Sequence, residues 1–217
     1  MQKHAHTVGS STYETIKHDI LFGQLAPGSK LKLDALKARY SASVSTLRET
    51  LNRLASDGFV AAEEQRGFFV TPVSKDDLIE IANLRSLLEC HALRLSIENG
   101  DTEWEGDLVA AHHKLHRMEV QMQSGDETEK ESWKRYDWEF HLALIRACNS
   151  QNLLSLHSKI YDKYLRYQML VLTFRGEVAT KEHKAMLDAA LVRDAGTAIR
   201  LLDEHIQNGL QHTLDAM

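Results

Sequence analysis

The sequence predicts a mainly α protein in two parts: an N-terminal winged helix-turn-helix followed by an all-α antiparallel helical bundle. Three observations lead there. Leu31 to Val70 holds two short amphipathic stretches, a small-residue break between them and a hairpin pattern after them. The two prolines of the 217-residue chain, Pro27 and Pro72, both flank that stretch. Beyond Pro72 apolar residues recur at helical spacing, and the lack of proline there permits long uninterrupted helices. These patterns divide the chain into residues 1–73 and residues 74–217.

Met1 to Gly9 is polar and short of apolar anchors, so it reads as a loose tail with His4 and His6 idle. Ser10 to Phe22 places Tyr13, Ile16, Ile20 and Leu21 at helical spacing and forms the first helix. Pro27-Gly28 is a turn signal. Leu33, Leu36 and Tyr40 mark a second short helix, with Asp34 in its first turn. Ser41, Ala42 and Ser43 interrupt it. Ser43 or Ser45 can then cap a third helix, whose apolar face carries Leu47, Leu51 and Leu54. Its other face carries Ser45, Thr46, Arg48, Glu49, Asn52 and Arg53. Asp57-Gly58 stops it, since glycine tolerates the left-handed cap. Phe59 to Ala62 and Phe68 to Thr71 read as two strands joined by the polar tip Glu63 to Gly67. A module of this kind can lay its second helix-turn-helix helix in a DNA major groove.

Ser74 followed by Asp76 and Asp77 starts a long helix that runs to about Glu98. Asn99-Gly100-Asp101 separates it from one ending near Gln123. Further helices are expected from Glu127 to Cys148, Leu153 to Leu172, Thr180 to Arg193 and Ala195 to Ala216. Short breaks between long helices predict antiparallel neighbours.

The formal net charge is −5, but it is unevenly spread. Residues 1–73 hold nine Lys+Arg against seven Asp+Glu; the remainder holds 17 against 24. A mildly basic head on an acidic body suits a specific nucleic-acid binder whose body avoids the phosphate backbone. Cys90 and Cys148 are isolated, form no metal-type pair and read as reduced thiols. With no apolar signal core and no run of membrane-span length, a soluble cytoplasmic protein without membrane contact is expected.

Leu25 to Leu31, Ser45 to Val60 and the run Arg66-Gly67-Phe68-Phe69-Val70 resemble the GntR family of bacterial transcription regulators. The likeness covers about sixty residues. It implies DNA contacts from Arg39, Ser43, Val44, Ser45, Thr46, Arg48, Arg66 and Gly67. One position departs. The family commonly has an arginine early in the recognition helix, where this chain has Val44. That removes a bidentate guanine reader and leaves Arg48 as the leading base or phosphate contact. The serine and threonine at the helix start would bond phosphate oxygens through side chain and backbone N–H.

The body resembles the FCD ligand-binding domain of the FadR subgroup. Arg85 to Glu89, Phe140-His141 followed by Asn149, and Glu182-His183 followed by Ala189-Ala190 carry that likeness. Among twelve histidines, His112, His113 and His116 read as surface residues. Asp137 and His141, four apart, project from one helix face. From the residues alone, His183 and His205 could be unrelated to that pair or could join it, since spacing cannot pair distant ligands. The metal-binding branch of the FCD likeness implies that Asp137, His141, His183 and His205 hold a divalent ion. Zinc is the expected ion, with nickel and manganese as alternatives. Arg85 and Arg166 are the candidates to hold an effector carboxylate beside it.

The leading expectation is a ligand-responsive, homodimeric regulator, not an enzyme, on a near-palindromic double-stranded DNA operator. Repression of a catabolic operon, relieved by a small carboxylate such as a dicarboxylate, is the implied mode. The alternatives are a metal-dependent hydrolase built on the Asp/His cluster and a DNA-binding head on a purely structural dimerisation bundle. Against the hydrolase, there is no HExxH, no phosphate loop and no nucleophile elbow.

Overall fold

A computed structural model of the chain describes residues 8–125, 129–171 and 174–217. The reading of residues 1–7 as a tail, the helix start at Glu127 and the helix end at Leu172 lie outside the described residues. The elements run α1 (Val8–Leu21), β1 (Lys30–Leu31), α2 (Leu33–Tyr40), α3 (Val44–Ser56), β2 (Val60–Glu63) and β3 (Gly67–Val70). Then come α4 (Lys75–Asn99), α5 (Thr102–Gln123), α6 (Lys130–Ile145), α7 (Gln151–Val171), α8 (Glu177–Leu191) and α9 (Ala195–Ala216). This is the winged helix-turn-helix followed by the helical bundle.

The described residues fall into two compact units. One holds the chain through Leu78 together with the segment beginning at Asp162, late in α7. The other holds Ile79–Tyr161 and the segment that ends at Met217. The units therefore do not follow a single cut in the sequence.

In the first unit Ile16 and Ile20 of α1, Leu36 of α2, Leu47, Leu51 and Leu54 of α3, and Val60 and Val70 of the sheet form one core. These are the residues at three- and four-residue spacing, so burial of one stripe per helix fixes the packing. Ser43 caps α3 by accepting from the Thr46 N–H at 3.1 Å. Gly58, at φ +84°, turns the chain out of α3 into β2. The sheet order is β1-β3-β2, all antiparallel. β1 is an addition to the predicted hairpin: with two residues it is too short to show alternation, and it exists through pairing with Phe68 and Phe69 of β3. The end of α7 docks within this unit. Lys17 pairs with Asp162 at 2.5 Å, Tyr167 donates to Asp77 at 2.5 Å, and Arg166 donates to the Thr71 carbonyl.

In the second unit Leu93, Trp104, Leu108, Leu115, Phe140, Leu144, Met186, Leu202 and Ile206 are buried in a core shared by α4, α5, α6, α8 and α9. Asp101 caps α5 and Asp194 caps α9 through first-turn N–H groups. Gly100 is required between α4 and α5, because a Cβ there would lie 2.2 Å from the Trp104 ring and 2.7 Å from the Ser96 carbonyl. His112 corrects an expectation: it is buried rather than on the surface. It sits in phase with Leu108, Ala111 and Leu115 and meets the edge of Phe140 at 5.6 Å. Burial lowers its pKa to about 4.

Candidate metal centre and nucleic-acid interface

Three helices, α6, α8 and α9, bring three imidazoles together in the second unit. His141 comes from α6, His183 from α8 and His205 from α9, all buried. One nitrogen from each lies within 4.8 Å of the others. The rings of His183 and His205 are 4.6 Å apart, and those of His141 and His205 are 5.1 Å apart. Asp137, one turn before His141, places Oδ1 3.5 Å from His183 Nε2. Its Oδ2 accepts from the Tyr161 hydroxyl at 3.0 Å.

The outer contacts fix how the rings present themselves. His141 Nδ1 meets Glu89 at 3.0 Å, His183 Nδ1 meets Glu119 at 2.6 Å, and His205 Nδ1 meets Glu182 at 2.7 Å. An ionised carboxylate can only accept, so each Nδ1 carries the proton and donates it. Each Nε2 then keeps a lone pair. Arg85 also lies 3.2 Å from His141 Nδ1 and 3.3 Å from its Nε2, and Arg175 lies 3.0 Å from His205 Nδ1. These are donors with the same preference for a lone pair, but the carboxylate contacts are shorter and set the tautomer. His183 Nε2 is buried with no hydrogen-bond partner among the described residues.

Electrostatics keep the donor set ready. Burial raises the Asp137 carboxyl, but the Lys134 ammonium and the three histidines outweigh it and hold it well below the usual carboxylate range. Glu89 follows the same balance, with burial opposed by Arg85, His141 and His157. Burial holds His205 well below the ordinary histidine value against the pull of Glu182, and lowers His141 against Glu89. Neutral His141 and His205 beside an ionised Asp137 are in the protonation states that a borderline divalent cation requires. The residues present therefore fit such an ion.

Of the two arginines expected at an effector site, Arg85 is at the histidines. It is 2% exposed, donates to Glu89 at 2.7 Å and lies over the Tyr161 ring at 4.6 Å. Arg166 belongs to the other unit, with its guanidinium on the Thr71 carbonyl. Glu139, the acid between the two α6 donors, pairs with Lys114 at 3.4 Å and Arg135 at 3.9 Å. Sequence reasoning missed the three outer glutamates, His157, Tyr161, Lys134 and Arg175. Their signal was a charged residue in phase with an apolar stripe, as Glu119 is with Leu108 and Leu115.

In the first unit the expected DNA-contact residues line the start of α3 and the wing. Ser43, Val44, Ser45 and Arg48 are exposed. The Ser43 hydroxyl bonds those of Ser45 and Thr46 at 2.8 Å and 2.9 Å, so the three gather at one helix N-terminus. Gln65 and Gly67, at φ +60° and +94°, make the wing tip, and Arg66 between them pairs with Glu63. Arg39 pairs with Asp19 at 2.5 Å.

The match to known families decides what these parts belong to. The family model described as bacterial regulatory proteins, gntR family, matches residues 9–70, and that of the FCD domain matches residues 80–208. The chain belongs to the GntR family, with a C-terminal FCD domain. Among its relatives, the HTH-type transcriptional regulator BphR of Paraburkholderia xenovorans (strain LB400) is 37% identical over 92% of this chain and 82% of its own length. The HTH-type transcriptional repressor GlaR of Escherichia coli (strain K12) is 31% identical over 89% of this chain and 90% of its own. The solved structure of E. coli McbR/YncC shares the fold, with a TM-score of 0.80 at 22% identity over 96% of this chain and 98% of that one. This GntR chain is a DNA-binding transcriptional regulator. Among its described residues, no helix is long and apolar enough to cross a membrane.

Proposed function

We propose that this GntR chain is a repressor whose grip on its operator is released by a small carboxylate held at a metal in the FCD domain. Residues 1–73 are the DNA-reading part and residues 74–217 the sensing and dimerising part. The observation that carries the reading is the convergence of three buried imidazoles, one nitrogen of each within 4.8 Å of the others, with a glutamate behind each ring. His183 Nε2, buried with no hydrogen-bond partner among the described residues, is the acceptor that a cation would satisfy. Asp137, His141, His183 and His205 would hold the ion, with zinc the best match to the donor set. The ion would supply a Lewis-acid position for a carboxylate oxygen, and Arg85 would bind the other oxygen through its planar fork.

Transmission follows from α7. Tyr161, bonded to Asp137, and Asp162, paired with Lys17, are consecutive residues of that helix. A ligand that shifts Asp137 would act on the helix whose later residues Asp162, Arg166 and Tyr167 bond within the first unit. On the DNA side, Arg48 and the hydroxyl cluster at Ser43, Ser45 and Thr46 would read and clamp the operator, with Arg39 and the Arg66-Gly67 wing on the backbone and minor groove. Two copies would place two such helices on a near-palindromic site. Leu84 and Leu87, 46% and 66% exposed on α4, are the apolar surface that a second copy would cover.

The test is elemental analysis of protein purified without a nickel column, followed by footprinting on promoter fragments near its own gene with and without small organic acids. Bound metal and a protected site that acids release are expected. Metal-free protein with an unchanged acid response would remove the ion from the scheme.

A further inference from the structure

The hairpin that forms the wing is acidic. Between Val60 and Val70 it holds two glutamates, Glu63 and Glu64, against one arginine, Arg66. That arginine is already paired with Glu63. A duplex carries one negative charge for about every 1.7 Å of its axis, so a hairpin of this charge is repelled by the backbone. An offsetting cation has to come from outside the hairpin.

β1 supplies one. Its pairing with β3 sets Lys30 opposite Phe69 and Leu31 opposite Phe68. Side chains alternate along a strand, so the two pairs face opposite sides of the sheet. Leu31 and Phe68 pack into the head core. Lys30 and Phe69 therefore lie on the outer face, where Lys30 is exposed and its ammonium stands 5.6 Å from the Phe69 ring centroid. The Arg66 guanidinium stands 5.4 Å from the same centroid. One ring thus gathers a cation from β1 and a cation from the wing tip. An ammonium resting on a ring face keeps N–H donors for a further acceptor. Among the described residues Lys30 forms no ion pair, unlike Arg66 with Glu63 and Arg39 with Asp19.

We infer that the outer face of the wing sheet is a phosphate-binding surface, with Lys30 as the cation that makes the contact and Phe69 as the platform that holds it beside Arg66. This rests on the reading above that the wing lies on the DNA backbone. The two-residue strand β1 then has a binding role: its register delivers Lys30 to an otherwise acidic hairpin. A phosphate contact carries no sequence information, so Lys30 strengthens binding to any duplex alike and does not select the operator.

The experiment is fluorescence anisotropy of the full chain on a labelled random-sequence duplex of about 30 bp, between about 50 and 200 mM NaCl. The readout is the slope of log affinity against log salt. Lys30→Gln should make it shallower by about 0.9 per head, so that affinity falls about threefold less across that range. Lys30→Arg should keep the wild-type slope. Lys181→Gln makes the same charge change in the second unit, at a side chain 74% exposed, and should also leave the slope as it was. Arg66→Ala tests the wing reading by itself. If Arg66→Ala flattens the slope and Lys30→Gln does not, the Lys30 contact is overturned and the wing reading stands. Equal changes in Lys30→Gln and Lys181→Gln would reduce the effect to net charge and overturn the contact as well. If neither wing variant moves the slope, the wing reading fails and the Lys30 contact with it.

Discussion

Removing the Glu119 carboxylate tests the metal centre without touching a proposed ligand. Glu119 is fully buried and accepts from His183 Nδ1 at 2.6 Å. In Glu119→Ala the ring loses the group that fixes its tautomer, and Nδ1 is left in a dry site with no acceptor. Hydrogen bonds to charged groups contribute about 1.5–3 kcal/mol. At about 1.4 kcal/mol per tenfold, that converts to a Zn²⁺ affinity weaker by roughly 10- to 100-fold. The same range is typical for loss of a carboxylate behind a ligating histidine. Glu119→Gln keeps an oxygen that can accept, so its loss should stay under about tenfold. The assay is competition against a chromophoric chelator, with circular dichroism to confirm that each variant folds. A folded alanine variant with affinity within twofold of wild type would refute the argument that the outer glutamates organise the site.

Other expectations are simpler to state. His205→Ala should purify with little bound metal and lose the thermal stabilisation that organic acids give the wild type; retention of both would count against the cluster. Arg48→Ala should abolish specific footprinting while the far-UV spectrum and size-exclusion profile stay unchanged, and a preserved footprint would remove that contact. Leu51→Ala, at a fully buried position of the head, should destabilise the fold by about 2–5 kcal/mol in chemical unfolding. Partial burial pushes the Cys90 thiol up to about 11, so iodoacetamide should label it slowly at pH 8 in native protein and faster after unfolding; equal rates in the two states would contradict the raised pKa.

Much of the fold was written in short-range pattern. The stripe Leu47, Leu51, Leu54 announced α3, the Asp57-Gly58 pair announced its end, and the proline-free C-terminal half announced long helices, because these features act within one or two turns. β1 escaped notice because Lys30–Leu31 becomes a strand only by pairing with β3, some 37 residues on. The abundance of histidines points His112 to the surface, but its phase with Leu108 and Leu115 turns it inward.

The candidate site divides in the same way. Spacing put Asp137 and His141 on one helical face, and family likeness suggested His183 and His205. Linear order carried no information about which glutamate stands behind which ring, since Glu89, Glu119 and Glu182 lie on three other turns of three helices. It also paired Arg85 with Arg166, although the two guanidiniums belong to different units.

By itself, then, the sequence determined the helix positions and put Asp137 and His141 on one helical face, because local sterics, capping and side-chain periodicity fix those. Only the tertiary structure decided which buried polar groups meet, which imidazole nitrogen carries the proton, and that α7 serves both units. Those outcomes depend on packing between helices far apart in the chain, where a rotation of one helix by a single residue would present a different side chain to the site.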